Sequence, residues 1–298
     1  MRVVLTPNLA IDRLLEAEAP IEPGAPNRVH LVHERAGGKG VNLARSYRAL
    51  GGGIVVAGFV AGDTGRRLAR LLDAEGFDTH HLMEVAGETR SCHIVVHAGG
   101  HPTEILERGP DVTPDDWHTL VRSLPIAPVV VSGSLPPGLP ASGFAGLLKA
   151  FRTPPAVDTS GAALTAAVDA RVELVKPNRS EAAELWGTTG DTLASAIAHH
   201  ARHGVPLLVT LGESGALWVA DRVLRVRPPR VRAVNPVASG DAFLGGFLWA
   251  RDEGWDVADA LRLAAACGAD NARNGGGGSV TAAGAFELMA GASVEELG

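Results

Sequence analysis

A single carboxylate stands at the start of an apolar helical run late in the chain. The stretch NPVASGDAF, residues 235–243, places Asp241 after the small residues at 238–240 and before the run AFLGGFLWA. A helix start has free backbone N–H groups that can hold an anion, and a carboxylate there can accept a proton from a hydroxyl group. Taken alone, the stretch favours a simpler structural role, with Ser239 or Asp241 capping the helix.

Two further turns carry groups suited to phosphate chemistry. AGGKGVN, residues 36–42, puts glycines and Lys39 at a predicted helix start; the alternative is a flexible turn with a solvated lysine. KPNRSEAAEL, residues 176–185, leads from a predicted strand into a helix. Asn178 and Glu181 share one face of its first turn. They predict either a capping box or a polar pair that orders water around a divalent ion at a phosphate.

A third turn, TLGESGAL at residues 210–217, follows a predicted strand and carries hydroxyl groups at Thr210 and Ser214. Seen alone, it is ordinary turn chemistry. The chain contains no GxxxxGK[ST] pattern, and no segment gives a strand, GxGxxG and a helix in that order. The sequence therefore lacks a Walker A loop and disfavours a Rossmann dehydrogenase.

Short β-branched runs alternate with amphipathic helical segments along most of the chain. The pattern predicts strands at residues 2–6, 54–60, 129–133, 156–160, 173–177 and 207–212. Thr113 and Pro114 predict an N-cap followed by the first helical residue. Such alternation predicts a mostly parallel sheet with helices on both faces, and ligands at the carboxyl ends of its strands.

Two segments alternate with period two instead, at residues 27–36 and 89–109. The second carries Gly99-Gly100, which predicts a hairpin turn. Together they predict a small antiparallel sheet apart from the main one, either a lid over the active site or a dimer surface. We expect one domain over residues 1–298, with lid segments at approximately 13–36 and 88–108.

Composition narrows the class of protein. The chain has 298 residues, 46% hydrophobic and 20% charged, which is typical of a soluble globular protein. A net charge of −6 and the absence of a Lys/Arg run argue against nucleic acid as a partner. Cys92 and Cys267 lack the spacing of a disulfide framework or a zinc site. No segment approaches a membrane span or a signal peptide, so we expect a cytoplasmic protein with no membrane partner.

In their order and combination, these motifs resemble the ribokinase-like, phosphofructokinase B family of carbohydrate kinases. The similarity runs through residues 6–12, 37–45, 132–140, 176–185, 210–217 and 235–247. Within the family, the chain is most similar to the hexose-phosphate kinases, which include 1-phosphofructokinase and tagatose-6-phosphate kinase. The implied fold is a three-layer α/β/α sandwich with a mostly parallel sheet and a small antiparallel β lid.

The resemblance also implies a reaction. The expected activity is transfer of the γ-phosphoryl group of ATP to a hydroxyl of a ketohexose phosphate, giving a bisphosphate. Fructose 1-phosphate, tagatose 6-phosphate and fructose 6-phosphate remain open as substrates. ATP and Mg²⁺ are the implied cofactors, and a monovalent cation near residues 235–237 and 271–279 is implied by the resemblance only. The predicted lid strands indicate a homodimer through the lid, with a lid on a monomer as the alternative.

Site residues carry over where this sequence matches the family. The positions that match the catalytic centre are the base Asp241 and an anion hole at Ala238, Ser239 and Gly240. The positions that match sugar binding are Asp12, Gly38, Lys39 and Asn42, with Arg28 and Arg90 on the existing phosphate. The positions that match nucleotide binding are Lys176, Asn178, Glu181, Thr210, Gly212, Ser214 and Gly215, with Mg²⁺ held through water near Asn178 and Glu181.

One position departs from the family pattern. Ala238 stands where the family usually has glycine, and alanine tolerates a positive φ less well, so we expect a slightly altered anion hole. We also expect the helix start to keep Asp241 ionised at pH 7.

Two other functions remain open. A kinase for a free sugar or nucleoside would share the fold, but a neutral sugar does not call for Arg28, Lys39 and Arg90 together. A non-catalytic sensor of a sugar phosphate or nucleotide would have no need of Asp241.

Overall fold

The computed structural model describes residues 1–97 and 103–297, so the predicted turn at Gly99-Gly100 lies outside the described residues. The strands are β1 (Arg2–Thr6), β2 (Ala10–Ala17), β3 (Val29–Gly37), β4 (Ile54–Val60), β5 (His81–Glu84), β6 (Arg90–Val96), β7 (Thr103–Leu106), β8 (Val129–Ser132), β9 (Ala156–Asp158), β10 (Leu174–Val175), β11 (Leu207–Thr210), β12 (Ala216–Val219), β13 (Val223–Arg227) and β14 (Ser293–Glu296). All six predicted strands of the main sheet are present.

The helices separate the strands as the alternation predicts. They are α1 (Lys39–Ala49), α2 (Gly62–Ala74), α3 (Pro114–Ser123), α4 (Ala141–Leu148), α5 (Gly161–Asp169), α6 (Arg179–Trp186), α7 (Thr192–His203), α8 (Ser239–Asp252), α9 (Val257–Arg273) and α10 (Ala282–Met289). Thr113 caps α3 in a capping box with Asp116, as predicted for this helix start. In the described part of the chain, no helix has the length and apolar character needed to cross a membrane.

Ten strands form the main sheet, in the order β14-β13-β12-β11-β10-β9-β8-β1-β4-β5. The strands from β11 to β5 pair in parallel, while β12, β13 and β14 extend the sheet by antiparallel pairs. Every residue of β1 is buried, because helices cover both faces of a parallel sheet. The predicted mostly parallel sheet is therefore confirmed.

Alternate residues of each strand pack into two separate cores. Val4 and Val56 join one core with α1, α2, α8 and α9, while Val3 and Ala57 join the other with α3 to α7. The period of two along a strand sends successive side chains to opposite faces. The result is the predicted three-layer α/β/α sandwich.

A second sheet, the lid, has the order β3-β2-β6-β7. Two of its strand pairs are antiparallel, and the central pair β2–β6 is parallel. The lid begins at Ala10, three residues earlier than the expected segment, because the chain enters β2 soon after leaving β1. Large apolar side chains on the lid are exposed, namely Val29, Leu31, Val32, Ile105 and Leu106.

Candidate active site

Charged side chains meet where two neighbouring strands end. Asp158 is the last residue of β9, and Lys176 directly follows β10, its parallel neighbour. The Nζ atom of Lys176 lies 3.2 Å from Oδ2 of Asp158, and both side chains are buried. Because parallel strands bring their carboxyl ends to one edge, this ion pair marks the edge where ligands bind in such sheets.

Lys39, at the start of α1, joins the same cluster. Its Nζ atom lies 3.4 Å from Oδ1 of Asp158 and 3.2 Å from Oε1 of Glu181. Asp158, followed by Glu181, raises the pKa of Lys39 well above its ordinary value despite burial. Lys39 is therefore a permanently charged member of the cluster and not the solvated lysine of the alternative interpretation.

Asp241 lies in the first turn of α8 and is buried. Its Oδ2 atom accepts a hydrogen bond of 3.0 Å from Nδ2 of Asn42. Burial and then the nearby Asp158 carboxylate raise the pKa of Asp241 to about 7, against the opposing effects of Lys176, Lys39 and Asn42. The helix start alone predicts an ionised carboxylate, whereas the full surroundings place its titration near neutral pH.

The start of α8 carries no side-chain cap, so neither Ser239 nor Asp241 plays the capping role. Ala238 takes the left-handed conformation at φ 65°, as its match to a family glycine suggests. The backbone N–H groups of Ser239 and Asp241 donate to the carbonyls of Pro236 and Ala238, both at 3.1 Å. Gly240 lies beside Lys176, because a Cβ built on Gly240 would be 3.7 Å from the Lys176 Nζ. The backbone at the start of α8 and the Lys176 ammonium group therefore lie side by side in the site.

Three of the predicted sugar-site residues lie together at the base of the lid, namely Asp12, Gly38 and Arg90. Burial raises the pKa of Asp12, opposed by Arg35, Arg45 and Arg90 and by the N–H group of Gly38, so all of these lie around one carboxyl. Arg90 donates from Nε and a terminal nitrogen to the Asn8 carbonyl, at 3.1 and 3.0 Å. The base of the lid therefore gathers positive charge around Asp12.

Arg28 is not part of this group within one chain. It precedes Val29, which pairs with Ala17 at one end of β2, while Arg90 pairs with Ala10 at the other end. At about 3.3 Å per residue, the two positions lie about 23 Å apart along the strand. The two arginines expected to share a phosphate are thus separated by the length of the lid.

The nucleotide-site residues form one continuous edge. Asn178 and Glu181 make a capping box at the start of α6, which is one of the two predicted roles, while the Glu181 Oε1 atom faces Lys39. Asn178 forms a parallel β-bridge with Thr210, so the two loops adjoin. Gly215 must be glycine, because an added Cβ would lie 1.8 Å from the Val226 carbonyl oxygen.

The remaining positions of that edge follow β11. Thr210 ends the strand, and Gly212 at φ 63° opens a short 3₁₀ helix, Gly212–Ser214. The edge therefore joins Lys176, Asn178 and Glu181 to the turn that was matched to phosphate binding.

The sequence reasoning missed two residues of the site. Asp158 joins Lys39 and Lys176, and its signal was a carboxylate inside the strand predicted at residues 156–160. Asn271 is fully buried and donates to the Val237 carbonyl and the Ser239 hydroxyl, at 3.0 and 2.9 Å. No local pattern marks Asn271, because its partners lie far away in sequence.

Comparisons with known proteins agree with this geometry. A family model described as pfkB family carbohydrate kinase matches residues 4–282. The chain is 36% identical over 271 residues to 1-phosphofructokinase from Haloferax volcanii, with 88% of each chain covered. It resembles the structure of phosphofructokinase-2 from Escherichia coli in complex with potassium, with a TM-score of 0.87, 27% identity and 97% of each chain covered.

The fold extends to ribokinases. The structure of Arabidopsis thaliana ribokinase complexed with ribose and ATP matches with a TM-score of 0.77 at 22% identity, over 96% of this chain and 98% of that one. This likeness shows a ribokinase-like fold. Together with the family match over most of the chain, it confirms the resemblance drawn from the motifs: the chain belongs to the pfkB family of carbohydrate kinases and is a phosphotransferase with an alcohol group as acceptor.

Proposed function

We propose that the chain is a hexose-phosphate kinase that transfers the γ-phosphoryl group of ATP to a hydroxyl of a ketohexose phosphate. The observation that carries this is the buried Asp241 at an uncapped helix start, beside Lys176 and hydrogen-bonded to Asn42. Fructose 1-phosphate is the first substrate we propose, because the relative from Haloferax volcanii is named 1-phosphofructokinase. Fructose 6-phosphate and tagatose 6-phosphate are the next.

Phosphoryl transfer depends on alignment and on stabilising negative charge. In the proposed mechanism, Asp241 takes the proton from the attacking hydroxyl. Within the helix start at residues 238–241, the N–H groups of Ser239 and Asp241 already donate to backbone carbonyls, so the N–H groups of Ala238 and Gly240, with the Lys176 ammonium, hold the transferring phosphoryl group. A base with a pKa of about 7 combines a large ionised fraction at neutral pH with enough basicity to accept the proton.

The residues present fit a Mg²⁺ ion bound with ATP. Mg²⁺ prefers oxygen ligands and keeps several waters, and Asn178, Glu181 and Asp158 place amide and carboxylate oxygens along the nucleotide edge. Both Glu181 oxygens already have protein partners, which favours contact through water near Asn178 and Glu181. The ion would neutralise charge on the ATP phosphates.

We propose a monovalent cation as well, near residues 235–237 and 271–279. The side-chain amide of Asn235 donates to the Gly275 carbonyl at 3.0 Å, and Gly277 N–H donates to the Val237 carbonyl at 3.1 Å, so these segments adjoin. The potassium complex of the Escherichia coli phosphofructokinase-2 supports this proposal.

For the existing phosphate of the sugar, we propose Arg90 from the same chain and Arg28 of the partner subunit. The separation along the lid keeps these arginines apart within one chain. The exposed apolar side chains of the lid, such as Leu31 and Ile105, suit a homodimer in which two lids pack together. A tetrameric form is known for the Escherichia coli phosphofructokinase-2.

The test is ADP release with Mg-ATP against the three sugar phosphates and the matching free sugars, with Asp241→Asn as control. We expect turnover on one phosphorylated ketose and its loss in the control. Turnover on free sugars alone would contradict the phosphate roles of Arg28 and Arg90. No turnover on any of them would favour a sensor or a nucleoside kinase.

A further inference from the structure

Arg45 lies one turn after Asn42 on α1 and is almost fully enclosed, with 11% of its side chain exposed. Its guanidinium makes a two-pronged contact with the Glu75 carboxylate, at 2.6 and 2.7 Å. The same group donates to the Ala36 carbonyl at 2.5 Å and to the Gly277 carbonyl at 3.1 Å. Arg45 is therefore held at once by Glu75 directly after α2, by Ala36 near the end of β3, and by the glycine loop at residues 275–278.

One further donor of Arg45 points at Asn42. A terminal nitrogen of the guanidinium donates to Oδ1 of Asn42 at 3.0 Å. Arginine has donors only, so the amide can present only its oxygen to Arg45. The amide nitrogen must then face the other way, and there it donates to Oδ2 of Asp241 at 3.0 Å.

The orientation of this amide matters for the base. An N–H donor stabilises an ionised carboxylate, whereas an amide oxygen in its place would accept a proton from the neutral acid. Without Arg45, the buried Asn42 amide is free to turn over and to present either atom to Asp241. A chain of contacts from Glu75 through Arg45 and Asn42 thus selects the form of Asp241 that can act as a base.

We propose that Arg45, held in place by Glu75, is a positioning residue that orients the Asn42 amide toward the general base Asp241. The inference rests on the proposed kinase function, in which Asp241 accepts the hydroxyl proton. Arg45 makes no hydrogen bond to Asp241 and reaches it through Asn42. Its charge also acts on Asp12, so KM for the sugar phosphate is read separately from the titration of Asp241.

Other charged groups face the two ends of this chain of contacts. Asp158, Lys176 and Lys39 surround Asp241, and Arg35, on β3, opposes the charge of Arg45. Variants that alter only Arg45 or Glu75 leave the first three unchanged. A shift in the titration of Asp241 that disappears in an Asn42→Ala background therefore reports on the amide, whereas the direct effect of the lost charge would persist there.

The experiment measures the pH profile of kcat/KM for the wild type, Arg45→Met and Arg45→Lys. We expect the acidic limb, near pH 7 in the wild type, to move upward by about one pH unit in Arg45→Met, because a hydrogen bond to a charged group is lost. Lysine has donors only, like arginine, so Arg45→Lys should keep the wild-type limb even if its Tm falls. The acidic limb of Glu75→Gln should lie between those of the wild type and Arg45→Met.

The matched control is Arg48→Met, one turn further along α1, where the guanidinium stacks 3.7 Å from the Phe77 ring centre. Arg48 faces the charges of Glu75 and Arg45 but makes no hydrogen bond to Asn42, so it controls for the loss of a positive charge beside this chain of contacts. Its acidic limb should not move. In an Asn42→Ala background, Arg45→Met should cause no additional shift, because the intermediary is gone. An unmoved limb in Arg45→Met, equal shifts in Arg45→Met and Arg45→Lys, or the same shift in the Asn42→Ala background would overturn the inference.

A second readout separates this inference from the proposed function. The carboxyl ¹³C signal of Asp241, assigned by its absence in Asp241→Asn, reports its titration without any turnover. A higher titration midpoint in Arg45→Met than in the wild type supports the positioning role even in a protein that phosphorylates none of the sugars tested. Equal midpoints refute it even in an active kinase.

Discussion

Two helix starts in this chain face the same site and are built in opposite ways. The start of α6 is closed, because Asn178 and Glu181 satisfy each other's backbone N–H groups in a capping box. The start of α8 is open: Ala238 has no side chain that can cap, and neither Ser239 nor Asp241 turns back onto the helix. The first is a stable support, and the second is the start that we propose for binding an anion.

The difference between the two starts lies in whether side chains cap the backbone N–H groups of the first turn. Capping residues are present in both sequences, yet only α6 uses them. At α8 the hydroxyl of Ser239 is occupied by Asn271, and Asp241 is occupied by Asn42. Long-range partners thus keep the cap residues away from the backbone.

Removing the carboxylate from the open start gives the largest expected effect. Asp241→Asn should lower kcat by about 10²–10⁴-fold while the protein stays folded, because a positioned base contributes that much. Coupled ADP release and circular dichroism measure the two properties. Asp256→Asn, at the exposed N-cap of α9, is the matched control and should keep wild-type turnover. Wild-type turnover in Asp241→Asn would remove the functional distinction between the two starts.

The lid holds the second anion site that we propose, at Arg90. Arg90→Ala should raise KM for the sugar phosphate by about tenfold to a hundredfold, since hydrogen bonds to charged groups contribute about 1.5–3 kcal/mol. KM for ATP should change little. Arg13→Ala, which loses a lid ion pair with Glu34, serves as control. Equal changes in both KM values would assign Arg90 to the fold and not to the sugar phosphate.

The buried Asp241 carboxylate at the start of α8 should also lower the stability of the folded chain at high pH. The pKa of Asp241 is higher in the folded chain than in the unfolded one, so the folded state binds the proton more tightly and its stability falls as pH rises from about 4 through 7. Asp241→Asn should therefore raise Tm over the wild type by more at pH 8 than at pH 5. A Tm difference that is the same at both pH values would contradict the raised pKa.

At the start of α6, one substitution of Asn178 can separate its capping role from its proposed role near Mg²⁺. Serine caps as well as asparagine, so Asn178→Ser should keep Tm close to the wild-type value. The Mg²⁺ concentration for half-maximal activity should rise about twofold to tenfold, as expected for one lost hydrogen bond. Thr113→Ser, in the capping box of α3, should change neither quantity. An unchanged Mg²⁺ requirement in Asn178→Ser would leave α6 with a purely structural start.

The smallest effect concerns the backbone at the open start. Ala238→Gly should stabilise the chain by up to about 1 kcal/mol, because the left-handed conformation is strained for alanine. Turnover should change less than about threefold. Arg171, at φ 54° and away from the site, offers the matched variant Arg171→Gly, which should gain stability without any change in kcat. A large change in kcat for Ala238→Gly alone would show that this residue tunes the anion hole.

Local patterns in the sequence predicted much of this molecule. Each of the six predicted strands contains a short apolar or β-branched run, and burial on both faces of the sheet explains why these runs were visible. The antiparallel extension by β12 to β14 was missed, because short strands of this kind are defined by distant pairing, as between Leu224 and Glu296.

The candidate site likewise contains residues that local motifs predicted and residues that only the fold reveals. Asp241, Lys39 and Glu181 stand in motifs with fixed spacing, and the structure brings them into one cluster. Asp158 became recognisable only once β10 placed Lys176 beside it. The pKa of Asp241 was misjudged from the sequence, because the helix dipole is a local effect while burial and Asp158 act across the fold.

The glycines of the AGGKGVN turn carry a consequence for mutational tolerance. A Cβ on Gly37 would lie 2.1 Å from the Asp12 carboxyl carbon, and one on Gly40 would lie 2.0 Å from the Thr6 hydroxyl oxygen. A saturation scan of this turn would find both positions intolerant, although the clash of each is with a neighbouring side chain and not with a ligand. Intolerance to substitution here would measure how closely β2 approaches the end of β3 and β1 approaches α1. Ligand contacts inferred from such a scan would therefore include positions that contact no ligand.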